Sequence, residues 1–308
     1  MRPRSVFDGG FRNERRASVL AVLLLAGCAS NVQPVVAQFG ASVATVAAAE
    51  RDYFAAINQK QADAQTMVLL ASSKVEMKPD RSVVPPGSTP MPPTISPQVT
   101  DAIGQILDAI KAYGDVMQAL SNDPAAAILN TNVDLLAANA VKLDASLFTN
   151  LKAKGLPTDA EVNAVATAVK DVGEIVIAAL ISRDVKATAA RAQAPLAVVA
   201  QSLEKINDFW AQNTPNNLSF DTVQAAVRYW NSTRPRLSYS ERLAVKAVWD
   251  KAAQPLTPKA ANDAVKALVK ANAQVATAGP LAAKAQVQAL AQAARDAYSA
   301  YKAFRPTS

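Results

Sequence analysis

The chain has 308 residues, half of them hydrophobic but only 6% aromatic, and alanine supplies much of the apolar content, so a sizeable core of closely packed helices is favoured over sheets. The formal charge of +7 is mildly basic and lacks the pattern of a nucleic-acid binder. The absence of histidine argues against serine triads and zinc hydrolase sites, and the single cysteine excludes an intramolecular disulfide, leaving the fold to its core.

The first 17 residues carry Arg2, Arg4, Arg12, Arg15 and Arg16 against Asp8 and Glu14, a positive segment that stays on the cytoplasmic side of a membrane. A short apolar run follows, from Val19 to Leu25, too brief to span a bilayer as a helix and suited to the hydrophobic region of an export signal. It ends in Leu25-Ala26-Gly27-Cys28: an aliphatic residue, two small residues and the only cysteine.

This stretch resembles the lipobox of bacterial lipoproteins. The resemblance implies that diacylglycerol is attached to the Cys28 thiol, that the signal is cut between Gly27 and Cys28, and that the new amino terminus is acylated in turn, with palmitate among the acyl groups. One acyl chain holds a protein only marginally at a membrane, whereas two or more hold it firmly, at about 0.8 kcal/mol per buried methylene. Ala29 and Ser30 stand where many inner-membrane lipoproteins carry an aspartate, so the resemblance implies sorting to the outer membrane, facing the periplasm. Removing the first 27 residues, with five arginines and two acids, leaves the rest at about +4.

Past the anchor, residues 35–74 lack proline, and Phe39, Val43, Val46, Tyr53, Ile57, Ala64 and Met67 recur at helical spacing. They predict one helix roughly 60 Å long, with a seam interrupted by Glu50 and Lys60. That interruption favours a bundle over a tight two-stranded coiled coil. Only six residues separate Cys28 from this helix, a short tether over 28–34. Seven prolines between Pro79 and Pro97 then mark a linker over 78–97, long enough to return along the first helix.

Ser96-Pro97 supplies a start signal, and Val99, Ile103, Ile106, Ile110, Tyr113, Met117 and Leu120 form the clearest seam in the chain. Asp123-Pro124 predicts a third helix, ending near Gly155 and antiparallel to the second. Thr158 with Glu161 forms a capping box for a fourth helix, expected to hold the apolar run Ile175 to Ile181 at the middle of the bundle. That helix is expected to continue with a kink, or to break, near 191–195 before Pro195.

In the last third, caps predict helices over 220–232, 239–253, 258–277 and 280–304. Trp210, Trp230 and Trp249 fall in one window with Phe209, Phe220, Tyr229, Tyr239, Arg228, Arg234, Arg236 and Arg242. Aromatic faces and guanidinium forks can hold a glycan or an acidic envelope molecule, while aromatic residues at helical spacing also serve to fill a core. Trp230, Arg234, Arg236, Tyr239, Arg242 and Trp249 are the candidate contact residues.

The sequence thus predicts an all-α, elongated antiparallel helical bundle, with long helices over 35–213 and shorter ones over 214–308 packed on the same bundle. No catalytic motif, metal site or cofactor is implied, although carboxylate-only chemistry needs just two acids. The functional expectation is a lipid-anchored scaffold or adaptor for an envelope protein. The alternative is a ligand-binding lipoprotein using the 209–249 window. A membrane-active apolar hairpin is disfavoured by Glu174 and Arg183 on either side of 175–181.

Overall fold

The structure is a computed structural model. It describes residues 12–71, 76–77, 83–84, 93–121, 148–152, 154–213, 231, 238–240, 243, 246–247, 250, 255–302 and 304; for 12–31, 63–71, 76–77 and 83–84 the description is of the backbone alone. Helices dominate: α1 (Arg12–Ala71), α2 (Pro97–Ser121), α3 (Asp159–Ser182), α4 (Val185–Asn213), α5 (Lys259–Ala278) and α6 (Lys284–Lys302). They pack on one another as a bundle. A minimal antiparallel ladder, Glu76–Met77 with Val83–Val84, lies within the proline-rich connection.

The first helix is longer than its seam predicts. It runs unbroken from Arg12 through Cys28 and past Pro34, which gives up only the one backbone bond its missing N–H would have made. From Val35 onward α1 is buried on most sides, because α2, α5 and α6 all pack against it. Residues 32–62 form the one stretch, among the described residues, long and apolar enough to cross a membrane; half of the apolar window is covered by the bundle, as a core helix would be.

Alanine and glycine let these helices approach closely. A Cβ on Gly40 would stand 2.4 Å from the Gly114 carbonyl oxygen and 2.5 Å from the Gln118 amide, so the α1 and α2 backbones touch. The predicted α2 seam is buried from Val99 to Met117, with Leu120 partly covered. Phe148, Leu151 and Leu156 close the core ahead of α3. The expected third helix, from Pro124 on, lies largely outside the described residues.

Two expectations about 159–213 are corrected. The chain does not break near Pro195, which is buried inside a helix, α4, that runs through it. It reverses at Arg183 and Asp184 instead: Arg183 adopts the left-handed region (φ 51°) and its N–H bonds back to the Ala179 carbonyl, while Asp184 Oδ1 accepts from the Ala187 amide to open α4. As a result the run 175–181 ends at a hairpin turn and not at the bundle's middle. Ile175 and Val176 are buried, but Ile181 is 84% exposed and Ile177 37%. The last two helices fall where their caps predict, with α5 of 20 residues matching 258–277 and α6 of 19 residues starting four residues later than expected; α5 packs on α4 while α6 packs on α1 and α5.

Two cross-sections, with the Ile95–Asn58 bond at the start of α2 and the Lys205–Glu161 bond at the start of α3, fix the direction of each helix. In one, the Phe39 ring meets Tyr113 at 6.2 Å, the Tyr113 hydroxyl donates to Asn272 Oδ1, and Asn272 Nδ2 donates to the Ala189 carbonyl at 3.0 Å. In the other, Tyr53, Asn207, Asn262 and Tyr301 meet. Helices α1, α4 and α6 therefore run one way, and α2, α3 and α5 the other. The α3–α4 and α5–α6 turns both lie at the end where α1 leaves the bundle toward Cys28.

Candidate functional site

Three places could carry function: a polar cluster inside the bundle, a groove between α5 and α6, and the end of the bundle nearest Cys28. The polar cluster begins at Glu50, which is fully buried. Its two carboxyl oxygens accept from one donor, Asn207 Nδ2, at 3.3 and 3.1 Å. The same amide donates to Asn262 Oδ1 at 2.9 Å, and Asn262 Nδ2 donates to Asp208 Oδ1 at 2.9 Å, so the chain of bonds leads from α1 through α4 and α5 toward the surface.

Burial pushes the Glu50 carboxyl up to about 8; the Asn207 bond favours the charged form, while the nearby Glu204 adds to the upward push. Glu50 is accordingly neutral at pH 7. Asn207 Oδ1 is buried without a hydrogen-bond partner among the described residues. Around the cluster, the Tyr53 hydroxyl donates to the Asn207 carbonyl at 3.2 Å, and the Tyr301 hydroxyl donates to the Thr257 carbonyl at 2.8 Å and accepts from the Ala261 amide at 3.1 Å. Desolvation pushes both hydroxyls, and that of Tyr113, well above the usual tyrosine range. They serve as donors that stay protonated. The cluster ties α1, α4 and α5 together through buried hydrogen bonds.

The groove has a volume of about 480 Å³ and is lined by Asp263, Lys266, Ala267, Lys270, Ala285, Gln286 and Ala289. Its single carboxylate is Asp263, so it does not offer the pair of acids that carboxylate-only hydrolysis needs. Lys266 is engaged with Glu204 at 3.1 Å, which raises its affinity for a proton. Among the described residues no group of acids and cysteine could hold a metal ion.

The bundle end nearest Cys28 is apolar in an unusual way. Of the five large hydrophobic or aromatic side chains exposed among the described residues, three, Ile177, Ile181 and Leu281, stand at this end. Arg183, Lys186 and Lys284, all exposed, accompany them, with Asp184 as the nearby acid.

The sequence-predicted contact residues are only partly visible. Tyr239 is 72% exposed, as a contact residue must be. Trp230, Arg234, Arg236, Arg242 and Trp249 lie outside the described residues. Trp210, from the same window, is buried, and Lys154 lies 5.6 Å from the ring centres of both Phe209 and Trp210, so this part of the window is core. For Leu25, Ala26, Gly27 and Cys28 the backbone is helical and their side chains lie outside the described residues.

Sequence reasoning passed over Asn207, Asn262 and Asn272. The signal was present, because Asn272 continues the α5 seam of Val265 and Leu268 before Val275, and a polar residue on an apolar seam marks a buried partner. No family model, no curated protein and no solved structure matches the chain.

Proposed function

We propose that the chain is a lipid-anchored cell-envelope protein whose helical bundle acts as a scaffold or adaptor for an envelope protein, held at the outer membrane and facing the periplasm. The observation that carries this reading is Leu25-Ala26-Gly27-Cys28 at the end of an apolar run, after a cationic segment. It is supported by the path of α1. The helix that bears Cys28 is also the helix on which α2, α5 and α6 pack, so lipid on Cys28 would fasten the core of the bundle and not a loose appendage. A bundle whose helices are tied together by buried hydrogen bonds suits presentation of a surface.

Crosslinking in intact envelopes, followed by identification of what is captured, tests the adaptor role. A reproducible protein partner supports it, whereas a co-purifying glycan or acidic small molecule and no protein favours the alternative in the 209–249 window, for which exposed Tyr239 is the observed foothold. Replacing Cys28 by Ala tests the anchor, since the variant is expected to lose acylation and to keep its signal uncut.

A further inference from the structure

We infer that the bundle meets the membrane end-on, with exposed side chains of the α3–α4 and α5–α6 turns reaching the headgroup layer of an anionic bilayer. The inference rests on the lipid-anchor reading and adds a second point of membrane contact to it. Three observations carry it: where the turns are, what they expose, and how far the anchor lies from them.

The cross-section through Phe39, Tyr113, Ala189 and Asn272 sets the level. From it, α4 begins four residues back at Val185, α5 ends six residues on at Ala278, and the buried part of α1 begins four residues back at Val35. At about 1.5 Å per residue these three points lie within a few ångströms of one another along the bundle axis. Cys28 stands seven residues beyond Val35 on the same unbroken helix, about 10 Å further out. With the acyl chains of Cys28 in the hydrocarbon and its backbone at the inner edge of a headgroup layer about 6 Å thick, the two turns stand about 4 Å above that layer, a gap that exposed side chains of the turns can span.

What the turns expose fits that layer. Ile181, at 84%, is the most exposed large hydrophobic side chain among the described residues. Leu281, 47% exposed, sits in the other turn. Among the described residues, the exposed cations Arg183, Lys186 and Lys284 accompany these tips; Asp184, the acid within the turn, caps α4, and Glu174, three residues before Ile177, pairs with Lys170. Apolar side chains beside cations are the composition that binds an anionic lipid surface by partial burial and charge attraction together. A protein partner at this end would have to share the space with the membrane that the anchor brings to it.

The test uses the full mature lipoprotein, purified with its acyl chains. Acylation leaves no free thiol at Cys28, so Ile181→Cys, Leu281→Cys and, at the opposite end, Ala160→Cys each carry one environment-sensitive fluorophore. Each is reconstituted in vesicles of phosphatidylcholine with phosphatidylglycerol, with nitroxide-bearing lipids as quenchers, and the mass of the amino-terminal peptide is measured in the same sample. The expected result is several-fold stronger quenching and a blue shift at 181 and 281 relative to 160, weakening when phosphatidylglycerol is left out. Acylated Cys28 with no quenching at 181 and 281, or equal quenching at all three, overturns the end-on contact and leaves the anchor standing. An unacylated Cys28 overturns both readings.

Discussion

Where α3 begins, the surface is closed by polar devices: Thr158 Oγ1 accepts from the Glu161 amide and Glu161 accepts from the Thr158 amide, Lys205 and Lys152 pair with Glu161 and Asp159, and Tyr301 ties α6 to the entry of α5. Where α3 ends, Ile181 stands in the open beside a left-handed Arg183, and Leu281 is exposed in the turn between α5 and α6. Both ends belong to the same helices, so composition does not explain the contrast. Among its described residues the first end carries caps, ion pairs and side-chain-to-backbone bonds. The second, nearest Cys28, is left apolar at its tips, which costs solubility unless something covers it.

The contrast can be broken or sharpened by substitution. The largest effect is expected in the half of the bundle nearest Cys28, where α1 and α2 touch: Gly40→Leu puts a branched side chain where a single Cβ already collides with the Gly114 carbonyl, and should lower unfolding free energy by about 3 kcal/mol in urea titration. In the other half, pH is the lever. Glu50 has a folded-state pKa of about 8 against an ordinary value of 4.5, so the folded state binds the extra proton between these limits. Its contribution is fully present below pH 4.5 and is lost as pH rises through 8, a slope of up to about 1.4 kcal/mol per pH unit. Thermal midpoints should fall across that window, and Glu50→Gln should flatten the decline.

Smaller effects separate the halves further. Tyr113→Phe leaves Asn272 Oδ1 without its donor and should cost about 1 to 2 kcal/mol, equally at every pH in that window, because the Tyr113 hydroxyl does not titrate there. Thr158→Ala removes the cap of α3 and should cost about 1 kcal/mol. Ile181→Ser should change stability by less than about 0.5 kcal/mol, since the side chain is largely in solvent. A marked loss on Ile181→Ser would mean that the exposed tip is part of the core after all, and the contrast between the ends would fall.

The bundle was legible where the signal is local. The α2 seam and the Thr158–Glu161 capping box appear as read, because helix period and caps are set by residues three and four apart. The α3–α4 reversal was not, since it uses neither glycine nor proline: Ser182, Arg183 and Asp184 make it, with Asp184 as the only start signal, while Pro195 drew attention to the wrong place. The error carried over to Ile181, which an uninterrupted helix would have buried. Glu50 was read as a break in a seam. Its meaning depends on Asn207, 157 residues away, and no local pattern links the two. Of the contact residues proposed in the 209–249 window, only Tyr239 can be weighed, and the neighbouring Trp210 has gone to the core.

The reading of the whole molecule turns on Cys28. Mass spectrometry of the amino-terminal peptide from envelope-purified protein measures it directly. The account predicts a mature chain that begins at Cys28 and carries diacylglycerol on the thiol, with the mass of a further acyl group on the amine. A chain that retains residues before Cys28, or a Cys28 with a free thiol, would contradict it.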